Sequence, residues 1–442
     1  MNHSGNVDQD DIAQARNVLL ASGRRTPREE VDAYRILAQV SPAAYLPRLA
    51  KALQRLSYDT GSGRRHPACL ALCEEAVAAA RAIDPAEPAR ADVLHEALDS
   101  CQRELYAQGR RSEGLAMRAE MVDVGRARAK LSGDSRVRGL SGWAAGLAEE
   151  GRFAEAADAL TEWVGALLPH GSNSGSLAWS LLQWIAALDG AGRSGEALDA
   201  FAVLVDMEAA EAANDRGPMA CHLYSLIGYA HMLDNCGRGE QATAVRQEAL
   251  TLLTELAATG ERRSWSGYQA SFWAVLLPFS GADSERQAAG GLHFPSGSTP
   301  MTWTPDVKQS YFDSRITLRE RVDSLALRAA EDPDQHLAEL VRLHRVLTVR
   351  SAVYWEQCNH SFAERARPLF DEGVSLAHQL SLQDPADGPR TLAEILIDRS
   401  TFHTAVREFG PALDDFRQAL SYLDEAIQHN GRKVTRQARP AE

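Results

Sequence analysis

The chain has 442 residues, 45% hydrophobic and 24% charged, proportions that suit a folded chain with a large core. Its formal net charge of -13 excludes broad phosphate neutralisation, so no nucleic-acid partner is expected. No run approaches the roughly 20 apolar residues of a membrane span, and the six cysteines include no C-x-x-C pair, so neither a membrane partner nor a disulfide framework is expected.

The amino terminus, MNHSGNVDQDDIAQ, lacks the positive start and apolar stretch of a secretory signal, and a cytoplasmic location is expected. Residues 1–26 read as an N-terminal segment with room for one capping helix. From residue 27 the pattern is helical. Residues 31–56 return without gaps at 322–347: Val31 matches Val322, Pro42 matches Pro333, Leu49 matches Leu340 and Leu56 matches Leu347. In both copies proline follows a capping type, Ser41 or Asp332, which predicts a helix start there.

Cys69 and Cys73 stand one helical turn apart. With no second pair to complete a metal site, they read as small buried residues. His95-Glu96 lacks a second histidine four residues after the first, and Gly61 to Gly63 lies in a turn. Cys358 and His360 do not face each other on a helix. No catalytic residue, metal ligand or cofactor is therefore expected, and the chain does not read as an enzyme.

The clearest pattern lies between residues 87 and 259. Gly-Arg occurs at Gly109, Gly151, Gly192 and Gly237, at spacings of 42, 41 and 45 residues. Eleven residues before each glycine stands leucine: Leu98, Leu140, Leu181 and Leu226. Eight before stand Cys101, Trp143, Trp184 and Tyr229, and four before stand Leu105, Leu147, Leu188 and Leu233. These offsets make one apolar helix face. Glycine then suits a left-handed helix end. The small residue five positions later, Gly114, Ala156, Ala197 or Ala242, lets a second helix pack closely. Each unit is a helix hairpin that needs neighbours to bury both of its faces.

The segments LAEEGRFAEAADAL and LDGAGRSGEALDAF resemble the turn and second helix of the tetratricopeptide repeat (TPR), in the longer form of about forty residues common in actinobacterial arrays. The resemblance implies an all-α, right-handed superhelical array, an α-solenoid of about eight antiparallel helix hairpins. It also implies a protein or peptide partner.

After residue 280 the helical pattern stops, and residues 281–305 form a long loop rich in glycine, serine and proline. This loop is expected to be a mobile insertion between an array at 27–280 and a second helical block at 306–430. Phe294, Met301 and Trp303 supply the lesser alternative, that it folds back. A last hairpin is expected at Gly410, with Phe402 and Val406 in its columns. The end from 431 to 442 reads as a basic disordered tail.

In the TPR family the first helix of each hairpin lines the concave surface. Counting thirteen and six residues before each glycine assigns Glu96 and Arg103, then Arg138 and Ala145, then Trp179 and Ala186, then Tyr224 and His231. The later positions are aromatic and are flanked by Gln183, Asp234 and Asn235. Aromatic rings with a polar edge are usual recognition anchors, although rings at helical spacing more often pack between helices. The lysine and asparagine clamp by which some relatives hold a peptide carboxylate is not matched, since no lysine occurs between Lys130 and Lys308. The expected function is a non-catalytic scaffold or adaptor. The alternatives are a ligand-responsive or peptide-responsive sensor, or an accessory helical module of a separately encoded ATPase or transcription regulator.

Overall fold

The structure is a computed structural model that describes residues 8–21, 25–61, 67–170, 174–262, 266–280, 293–294, 296–358 and 361–437. Among these residues there are eighteen α-helices and no strand. They are α1 (Gln9–Leu20), α2 (Pro27–Val40), α3 (Pro42–Gly61), α4 (Pro67–Arg81), α5 (Arg90–Ala107) and α6 (Arg111–Ser132). Then come α7 (Leu140–Glu149), α8 (Phe153–Leu167), α9 (Ser174–Gly190), α10 (Ser194–Ala213), α11 (Met219–Asn235) and α12 (Gly239–Thr259). The last six are α13 (Ser266–Ser280), α14 (Pro305–Glu331), α15 (Pro333–Cys358), α16 (Phe362–Gln383), α17 (Gly388–Ala405) and α18 (Phe409–Gln437). Successive helices pack in antiparallel hairpins, the architecture of an α-solenoid. The structure thus bears out the all-α repeat reading.

The four glycines of the repeat adopt one conformation, with φ of +75, +72, +73 and +72° at Gly109, Gly151, Gly192 and Gly237. At Gly109, Gly192 and Gly237 the glycine N–H donates to a carbonyl three residues back. The next arginine's N–H donates to the leucine carbonyl five back, all at 2.9 Å. This Schellman geometry explains the pairing of leucine at minus four with glycine: leucine supplies both the buried side chain and the carbonyl that accepts from the arginine N–H. The arginine that follows precedes the next helix, and Arg110, Arg152 and Arg193 each pair with a glutamate three residues on, at 2.5 to 2.6 Å. Gly114 is required by packing, because a Cβ there would stand 2.8 Å from the Tyr106 ring. At α15 the expected start also appears, with the Asp332 carboxylate accepting from the Gln335 N–H at 3.2 Å.

The last hairpin has a different register from that expected. Gly410 does not turn the chain; Arg407 does, with φ +65°, and the Glu408 N–H donates to the His403 carbonyl at 2.8 Å. In this register Leu396 and Ala412 fill the buried columns eleven before and five after. The column pattern misled because the left-handed site holds a residue other than glycine. The tail also differs: α18 runs through Gly431 to Gln437, since one glycine weakens a helix by about 1 kcal/mol without ending it. Residues 438–442 of the expected tail lie outside the described residues, as does His360.

Packing divides the chain into two compact units. One comprises residues 1–147 with 304–306, the other 148–303 with 307–442. In the first unit, α2 to α6 enclose a core that includes Leu53, Cys73, Leu98 and Cys101. Arg118 is buried there beneath Tyr106, 4.9 Å from the ring centre, and donates to Gln102 Oε1 at 3.0 Å and the Gly142 carbonyl at 2.7 Å. Arg111 meets Asp306 at 2.6 Å.

In the second unit the C-terminal helices turn back on the repeats. α18 packs on α12, and α13 packs on α11, α15 and α17. The α13 sequence SGYQASFWAVLLPFS is apolar nearly all round, so it must be enclosed. Trp273 is accordingly fully buried, near the rings of Phe362, Phe370 and Phe402, with its N–H donated to Thr401 Oγ1 at 2.9 Å. Residues 281–292 and 295 lie outside the described residues. The described remainder folds back rather than extending freely. Trp303 and Phe294 both pack on Tyr311, at 5.0 and 4.7 Å between ring centres, while Gly297 (φ +73°) sits directly against the Leu182 carbonyl of α9. Burial of the two large rings is the physical reason.

Candidate binding site

Along α11, Tyr224, His231 and Asp234 recur at helical spacing and lie on one wall of a cavity within the second unit. Gly228 lets this helix approach α10, since a Cβ there would stand 2.8 Å from the Phe201 ring. The facing wall comes from α17, where Arg390, Glu394, Asp398 and Thr401 share a face. Arg246 of α12 and Arg345 of α15 complete the polar lining, and Trp273, Leu276, Phe416 and Leu423 form the apolar part. The cavity volume between these walls is about 60 Å³. It suits a side chain or small organic group rather than a folded surface.

The charges are paired across elements. Arg345 donates from Nε to Asp398 at 2.7 Å and from Nη1 to Glu394 at 2.6 Å. Arg246 pairs with Asp234. Burial acts to discharge Arg345, but Asp398 and Glu394 outweigh it and hold the guanidinium protonated. Burial likewise pushes the Glu394 carboxyl up, and Arg345 and the other cations overcome this, leaving it below the usual carboxylate range. His231 moves the other way. Burial lowers the imidazole, so it is uncharged at neutral pH despite the nearby carboxylates. Its Nε2 lies 3.2 Å from Asn235 Nδ2, which fits a tautomer with the proton on Nδ1. The arrangement offers fixed charges, an uncharged imidazole and an apolar wall, which suit binding and orientation of an amphipathic group.

Of the residues singled out from sequence, the structure brings Tyr224, His231 and Asp234 together on the cavity wall, with Asn235 exposed at its edge. The other four stand elsewhere. Trp179 is half-buried, edge-on to Tyr268 and Phe272 at 5.5 and 5.7 Å, so it packs under α13 instead of lining an open surface. Gln183 is buried on α9. Glu96 and Arg103 are exposed on α5 in the first unit, and Arg103 pairs with Asp99 one turn back. The physical reason for the difference at Trp179 is α13 itself, whose all-round apolar surface covers the neighbouring helices.

Sequence reasoning missed Arg246, Trp273, Arg345, Glu394 and Asp398. Arg345 carries one usable sign: it occupies an otherwise uncharged helical stripe with Val341, Thr348 and Ala352. A charge in such a stripe needs a buried partner. Its partners, 49 and 53 residues away, follow no local spacing.

No family model and no curated protein matches the chain. Among solved structures, the TPR domain of P58(IPK) is 12% identical, with a TM-score of 0.20, over 88% of this chain and 99% of that one. A circular tandem repeat protein with novel repeat topology and enhanced subunit contact surfaces is 16% identical, with a TM-score of 0.19, over 97% of this chain and 96% of that one.

Proposed function

We propose that this chain is a non-catalytic, TPR-like scaffold or adaptor that takes a short segment of a protein or peptide partner into the α11 cavity. The observation that supports this most is the combination of an apolar wall with enclosed ion pairs in one cavity, where an inserted side chain exchanges water for both kinds of contact. The carboxylates of the cavity are held in arginine pairs and its imidazole is uncharged, an arrangement suited to recognition. A sensor reading has one observation in its favour. The walls come from α11 to α13 and from α15, α17 and α18, so an occupant bridges helices distant in sequence and stabilises their packing.

A photo-crosslinking residue at Leu423, on the cavity wall, tests the proposal against one at the exposed Leu131. The expected result is a partner captured from the native lysate at position 423 and absent at 131. Equal capture at both positions, or none at 423 while a partner co-purifies, refutes the cavity as the recognition site.

A further inference from the structure

The charges lining this cavity do not balance on its inner side. Asp234, Glu394 and Asp398 face two enclosed arginines, Arg246 and Arg345, and His231 contributes no charge. The balancing cation is Arg390 at the rim, whose side chain is 58% exposed and whose Nε stands 3.5 Å from Glu394 Oε1, the limit of a hydrogen bond. Glu394 Oε2 is firmly held by Arg345 at 2.6 Å, so Oε1 is the carboxylate oxygen with unused acceptor capacity. A second polar atom on the same wall is also underused. Tyr224 is only 2% exposed and its hydroxyl has no partner of good hydrogen-bond geometry, since the nearby Gln269 amide is engaged with the Thr404 carbonyl at 3.3 Å. Buried polar groups left this way gain most from a ligand that satisfies them.

We infer that the cavity admits an organic cation, an amine or guanidinium on an apolar body, which displaces Arg390 and donates to Glu394 Oε1 while its body lies against Leu276 and Phe416. A carboxylate in the same place, with Arg390 displaced, would add to the one negative charge that Arg246 and Arg345 leave uncompensated, and a neutral apolar group would leave Oε1 as it is. The inference rests on reading the cavity as a binding site, and it specifies the chemistry of the occupant. The cation comes either from a free amine or from a basic side chain in a partner peptide.

The test uses the full chain and three indoles of similar size and different charge: tryptamine, 3-propylindole and indoleacetate. Binding is read by ligand-observed NMR and thermal shift. Tryptamine is expected to bind at least about tenfold more tightly than the other two, as for a charge-assisted hydrogen bond in a partly closed site. Glu394→Gln is expected to remove that preference. Arg390→Ala removes the competing cation and is expected to tighten tryptamine binding about threefold, the scale of a weak exposed ion pair. Equal binding of the three indoles, a preference for indoleacetate, or weaker tryptamine binding by Arg390→Ala would overturn the inference. The last outcome decides the matter even if Glu394→Gln fails to fold. Acetyl-Leu-Arg-amide, set against acetyl-Leu-Glu-amide, separates the two sources: binding of the arginine peptide alone indicates a peptide side chain, and binding of tryptamine alone indicates a free amine. A partner captured at position 423 with no indole bound refutes the cation while keeping the protein-binding reading; tryptamine bound with no capture does the reverse.

Discussion

Glu208 on α10 gives the sharpest quantitative test of the packing. Its side chain is enclosed between α10, α11 and α13, and the residue is only 3% exposed. Burial first, and the nearby Glu211 second, push its carboxyl up to about 7. Cys221 of α11 and Tyr268 of α13 are the other titratable groups within its reach. Because the folded carboxyl binds its proton more tightly than the unfolded one at 4.5, stability is unaffected below about pH 4.5 and falls as pH rises through 7. The shift corresponds to about 3 kcal/mol lost by pH 8, and under about 1 kcal/mol at pH 5. Glu208→Gln keeps the shape without the ionisation. It is expected to match the parent near pH 5 and exceed it by about 3 kcal/mol at pH 8. Urea unfolding followed by tryptophan fluorescence reads the difference, and hydrogen exchange of α10 and α11 amides places it. A pH-independent difference between the two proteins, or a parent that gains stability between pH 5 and 8 relative to the variant, would show that Glu208 is not enclosed as described.

Four further outcomes follow from particular contacts. Gly192→Ala introduces no clash, since nothing lies within 4 Å of the added Cβ, so its whole cost is the φ of +73°, about 1 kcal/mol in a melting experiment. The converse, Arg407→Gly, removes the same strain at φ +65° and is expected to stabilise by about 1 kcal/mol; a lower melting temperature would mean that the Arg407 side chain matters more than its backbone. Trp273→Ala is expected to cost about 3–5 kcal/mol and to accelerate proteolysis between α12 and α15, because it removes the main aromatic contact of α13. Trp273→Phe, which loses the bond to Thr401, is expected to cost about 1 kcal/mol beyond any packing change, read by the same denaturant series.

The hairpins were legible in the sequence because their specification is local. A leucine four residues before a glycine, and a small residue five after, fix a Schellman turn and a close helix pair within about twenty residues of chain, and that geometry recurs at Gly109, Gly192 and Gly237. The same locality explains the misplaced last hairpin, where a strained Arg407 does the work of glycine and leaves no mark in the column. On α11 the periodicity placed Tyr224, His231 and Asp234 on one helical face, but it said nothing of what stands opposite. Only the tertiary structure brings Arg345, Glu394 and Asp398 to that face and covers Trp179 with α13. Helix periodicity encodes which side of a helix is apolar. Which distant apolar or charged surface meets that side is settled by burial and charge pairing summed over the whole unit, a quantity no short stretch of sequence contains.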